Sequence, residues 1–115
     1  MPGWITNMAT TTELDLAKAP GYSMQGTESL VATFDKLVTE ARTAIAGLKD
    51  SDIPVPWSLK HGDRVLFTTS RGETIRSTLN HLIHHRGQLT VYLRLVDVPV
   101  PSIYGPTADE PWGGA

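Results

Sequence analysis

Three of the chain's four histidines fall within one nine-residue stretch, Asn80-His81-Leu82-Ile83-His84-His85-Arg86-Gly87-Gln88. His81 and His85 are four positions apart, so on a helix their rings stack on one face. That is the spacing by which two imidazoles share a metal ion. His84 lies about 100° away around the helix and stays outside the pair. Neutral imidazole nitrogens suit a borderline divalent ion, zinc or nickel first, with iron also suited. Such an ion lowers the pKa of a bound water or thiol and makes a nucleophile at neutral pH. Gln88, a turn beyond His85, is placed to hydrogen-bond a ligating ring. Arg86 either orients an anionic substrate or pairs with a carboxylate on the helix surface, since a guanidinium fork suits both.

An amphipathic helix must present these residues. Ile75, Leu82, Leu89 and Val96 recur every seven residues, with Thr78, His85 and Tyr92 in the companion register. This register points His85 into a packed seam and sets His81 on its shoulder, above Gln88. A pair of satisfied core or interface histidines is the competing reading, because an i, i+4 pair alone is common.

From Asn80 to Glu110 the chain reads NHLIHHRGQLTVYLRLVDVPVPSIYGPTADE. This stretch resembles the DinB superfamily, in particular members whose last helix carries H-x-x-x-H-R-G-Q before a Pro-rich Tyr-Gly-Pro tail. The resemblance implies a four-helix bundle with a divalent metal held by three histidines, two of them matching His81 and His85. It also implies thiol-dependent S-transferase or hydrolase chemistry on a small molecule or low-molecular-weight thiol. In such proteins the third histidine lies just before a segment like Met1-Pro2-Gly3-Trp4, where this chain begins. The expectation is therefore an all-α, DinB-like bundle lacking its first helix and most of its second, with the third ligand missing. No catalytic residue beyond the metal ligands is assigned.

Length and composition agree with one domain over 1–115. A net charge of −2 over 115 residues gives no electrostatic footprint for nucleic acid. Without cysteine, disulfides, thiolate metal sites and a cysteine nucleophile are excluded, so any thiol chemistry uses the substrate's thiol. There is no signal peptide and no apolar run of membrane length, which places the expected protein in the cytoplasm and off the membrane.

Taken in order, residues 1–8 read as the end of a helix, with Trp4 as a core anchor. Residues 13–26 read as a loop around Pro20-Gly21. Thr27 to Lys49 is a helix capped by Thr27, with a packing stripe of Leu30, Phe34, Leu37, Ala41, Ala44 and Leu48. Between Asp50 and Thr69, Trp57–Lys60 and Arg64–Phe67 could pair as a small hairpin about the His61-Gly62-Asp63 turn. His61 there reads as a solvated histidine rather than a third ligand.

Ser70 and Glu73 fit a capping box for the histidine helix, which runs to about Val96. Gly87 inside it suggests a close backbone approach. Residues 97–115 read as an extended tail in which Val98, Val100, Ile103 and Tyr104 dock and Asp109 and Glu110 are solvated. Trp112 to Ala115 are expected to be disordered. Two complete helices with full seams would expose an apolar stripe, so a homodimer is expected. A noncatalytic dimeric helical module with an incomplete metal site is the alternative to an enzyme.

Overall fold

The computed structural model describes residues 2–19, 21, 23 and 26–111. Its elements are α1 (Pro2–Thr10), β1 (Glu13–Asp15), α2 (Thr27–Ala46), β2 (Pro56–His61), β3 (Arg64–Ser70) and α3 (Arg71–Leu95), with a single 3₁₀ turn at Asp50–Asp52. The chain forms two compact units, residues 1–79 and 80–115. The residues expected to be disordered, Trp112 to Ala115, lie outside the described residues.

The all-α expectation is overturned by a three-stranded mixed sheet in the order β1-β2-β3. β2 and β3 form the anticipated hairpin, but longer, from Pro56↔Ser70 to His61↔Arg64. Successive side chains point to opposite faces. Trp57 is completely buried, while Ser58 and Thr68 share a hydroxyl–hydroxyl bond of 2.7 Å on the other face. Gly62, with φ +59°, opens the two-residue loop, where a positive φ is needed and glycine adopts it without strain.

β1 was expected to be loop. It pairs parallel to β2, Leu14 opposite Leu59, and its three residues are too few to show a period. Asp15 locks this edge. Its Oδ1 accepts from Gly62 N–H at 2.8 Å and Ala17 N–H at 3.0 Å. The Gly62 bond holds the carboxyl below the ordinary carboxylate range; burial opposes it, and Ala17 and Lys18 reinforce it.

The core of this unit joins Ile5, Met8 and Ala9 of α1, Ala41 of α2, Trp57 of β2 and Ile75 of α3. Trp4 is not the anchor expected of it, being 42% exposed. α1 turns Ile5 and Met8 inward instead, and Trp57 is the buried aromatic. The α2 stripe is likewise only partly used. Ala41 is buried and Ala44 and Leu48 pack against the core, whereas Leu30 and Phe34 are exposed. α2 is capped by the Gly26 backbone rather than a Thr27 side chain, and it ends at Ala46 with Gly47 as C-cap.

α3 starts as read. The Ser70 hydroxyl accepts the Glu73 N–H at 3.2 Å, but the Glu73 carboxylate turns to Arg76 at 2.6 Å instead of reaching back. Arg71, Thr74, Ile75 and Thr78 are buried along its first turns, and the Thr78 hydroxyl donates to Met8 Sδ at 3.3 Å.

Candidate functional site

The second unit is the C-terminal part of α3 with the segment that follows it. His81 and His85 meet as their spacing demands. Their ring centroids are 4.5 Å apart with planes tilted by 33°, and their Nε2 atoms approach to 2.8 Å. On its other side, His85 Nδ1 lies 2.7 Å from Gln88 Oε1. An amide oxygen only accepts, so His85 must donate its Nδ1–H to Gln88. In the neutral ring that leaves the His85 Nε2 lone pair facing His81, which donates its own Nε2–H. The chain of bonds runs from His81 through His85 to Gln88. His84 stays aside, its ring centroid 6.4 Å from His81 and 5.3 Å from His85.

The surroundings differ from the packed seam expected. The face that is buried at Arg71, Thr74 and Thr78 comes into solvent at His81. Both histidines are exposed, as are Leu89 at 56%, Tyr92 at 66% and Val96 at 66%. Sequence period marks which residues share a face, not what covers it. Gly87 contradicts its reading too, since a Cβ there would meet nothing within 4 Å.

A metal at a nitrogen distance of about 2.0–2.1 Å from both rings in tetrahedral geometry needs the nitrogens about 3.3 Å apart. The 2.8 Å separation is a hydrogen-bond distance, so the rings must part slightly to admit an ion. The donor set is otherwise suited: two converging nitrogens, one ring fixed by an amide oxygen. Among the described residues no group of three or more His, Cys, Asp or Glu side chains could hold a metal ion. By itself the pair offers two of the nitrogens that a tetrahedral ion needs. His61 closes β2 in the other unit, paired with Arg64.

Among the described residues Arg86 pairs with no carboxylate, one of its two anticipated roles. Its Nη2 donates to the Tyr104 hydroxyl, and its guanidinium carbon sits 4.8 Å from that ring's centroid. Residues 97–111 are tied together by side-chain bonds to the backbone and to each other. Arg94 grips Asp109 through both terminal nitrogens, at 2.9 Å and 2.6 Å. Asp109 also accepts the Val100 N–H at 2.9 Å. These two partners, Arg94 foremost, hold the Asp109 carboxyl below the ordinary carboxylate range. Thr107 ties the loop by donating to Val100 O at 2.8 Å and accepting the Glu110 N–H at 2.9 Å. Glu110 in turn accepts from Ser102 N–H. Neither carboxylate is simply solvated, and Val100 is buried while Tyr104 remains 79% exposed. The acceptor-rich spacing Thr107-x-Asp109-Glu110 was the available sign of this knot.

The sequence profile of the DinB family matches residues 1–113, and the chain belongs to that family. It is 44% identical over 39 residues to "Uncharacterized protein YrdA" of Bacillus subtilis (strain 168). That stretch is 34% of this chain and spans only 23% of the relative's length. No solved structure matches. No helix among the described residues is long and apolar enough to cross a membrane.

Proposed function

We propose that the chain carries the metal-binding part of a DinB-family enzyme acting on a small molecule by thiol-dependent S-transfer or hydrolysis. The observation that supports this reading is the convergence of His81 and His85 with Gln88 behind His85. His81 and His85 would hold the ion, zinc or nickel first and iron third. Gln88 keeps a proton on His85 Nδ1, so the Nε2 lone pair, turned towards His81, is the one left for ligation. A bound ion supplies Lewis acidity, which favours the thiolate or hydroxide form of what it binds. Arg86, one residue from His85, orients the anionic end of a substrate. The chain has no cysteine, so a thiol nucleophile comes from the substrate side.

The test is a thiol-conjugation assay with N-acetylcysteine and chlorodinitrobenzene, run on metal-stripped and zinc- or nickel-loaded chain. Faster thiol consumption by the loaded protein, abolished in H81A and H85A, supports the reading. Identical rates in all forms overturn it.

A second reading has its own observation. Leu89, Tyr92 and Val96 share the histidine face and are exposed, and no Lys, Arg, Asp or Glu lies among them on that face to repel a second copy. That favours a noncatalytic helical module that homodimerises through α3. Light scattering at micromolar concentration, with Leu89→Glu as control, checks it. A monomer unaffected by the substitution rules it out.

A further inference from the structure

The two arginines of the second unit differ in how their charge is used. Arg94 has both terminal nitrogens on the Asp109 carboxylate, at 2.9 Å and 2.6 Å. Arg86 has a phenol hydroxyl and a ring face, and no carboxylate among the described residues. The segment does not depend on Arg86 for its fold, because Arg94–Asp109, Asp109–Val100 and the Thr107 knot already fix it. Those bonds hold Tyr104 in place, and Tyr104 stacks on the guanidinium while offering one oxygen to it. A guanidinium with most of its donors unspent, its carbon 4.8 Å from the centre of an aromatic ring, is set to receive a planar anion on its open edge.

A groove of about 430 Å³ lies beside it, lined by Thr90, Val100, Ile103, Tyr104 and Pro106 among others. Thr90 is four residues on from Arg86 and so follows it on the same helix face. Tyr104 is the shared residue: its ring lies against the Arg86 guanidinium, and the residue lines the groove. Val100, Ile103 and Pro106 make that groove largely apolar. Of the carboxylates near it in sequence, Asp109 and Glu110 already accept N–H groups of the same segment.

We infer that Arg86, Tyr104 and this groove form a recognition site for a small organic carboxylate with a short branched or cyclic hydrocarbon body. The carboxylate bridges two guanidinium nitrogens of Arg86, the Tyr104 hydroxyl turns to donate to it, and the hydrocarbon fills the groove. This deepens the proposed function by naming the substrate class that Arg86 orients, and rests on that reading only for the link to turnover. The binding itself needs no metal.

Ligand-observed NMR on chain stripped of metal by chelating resin tests it, with isovalerate and its isosteric amide isovaleramide as probes. The site predicts that isovalerate binds about tenfold more tightly than the amide, since only the carboxylate is charge-assisted. Arg86→Gln should remove that preference, and Tyr104→Phe should weaken isovalerate several-fold while keeping the ring wall. Equal binding of acid and amide by the wild-type chain overturns the inference whether or not any variant folds. Undiminished isovalerate preference in a folded R86Q overturns it as well. Because the chain is metal-free, failure here leaves the histidine site standing, and failure of the metal assay leaves this site standing.

Discussion

Gln88 Oε1 lies 2.7 Å from His85 Nδ1, and the opposite nitrogen of that ring lies 2.8 Å from His81 Nε2. One amide oxygen thus sets the tautomer of the ring that faces His81. Gln88→Ala should leave the helix intact and lower metal affinity by roughly 10–100-fold, as loss of an outer-shell partner does elsewhere. Competition with a chromophoric chelator measures it. Unchanged affinity would mean that the amide has no part in fixing the ring.

Two glycines of α3 should respond oppositely to alanine. A Cβ on Gly72 would sit 2.6 Å from Ile53 Cγ2, on a branched and stiff side chain. Overpacking of that kind costs about 1–3 kcal/mol and outweighs the ~1 kcal/mol gained in helix propensity. G72A is expected to be destabilised, with Ile53→Ala relieving part of the loss. Gly87 has open space around it, so G87A should stabilise by up to ~1 kcal/mol. Urea denaturation of both variants gives the comparison.

Among the described residues, Trp57 is the one large side chain with no exposure. Trp57→Ala should cost about 3–5 kcal/mol, because it empties the point where α1, α2, α3 and the sheet meet. A loss below about 1 kcal/mol in chemical denaturation would show that the core does not centre there.

Acid should loosen both units. Asp15 and Asp109 have folded pKa values below their ordinary ones. The unfolded chain therefore binds more protons in acid, and stability falls as pH drops below about 4, through the lowered folded values. Above that range the contribution is fully present. Asp109→Asn should be less stable than wild type at neutral pH and should show a shallower decline below pH ~4. Amide exchange at Val100, whose N–H rests on Asp109, reports this locally.

The histidine helix was legible because its period, its Ser70 cap and the i, i+4 pair all agree over α3. The hairpin could be seen from the His61-Gly62-Asp63 turn between two short extended pieces. β1 could not, since three residues show no period and their partners lie more than forty positions away. The resemblance to a helical family also drew the fold reading towards an all-α bundle, although residues 56–70 carry the composition of strands. At the site, spacing told which rings meet but not that their face is exposed. The role of Tyr104 was hidden because its contact with Arg86 depends on a loop fixed by Thr107 and Asp109.

Metal content of four purified proteins is the most direct test of the central claim. Wild type, H81A, H84A and H85A would each be loaded with zinc or nickel, desalted and assayed by elemental analysis. The account predicts metal in wild type and H84A and its loss in H81A and H85A, because only those two rings converge at Nε2. Equal metal content in all four, or loss only in H84A, would contradict it.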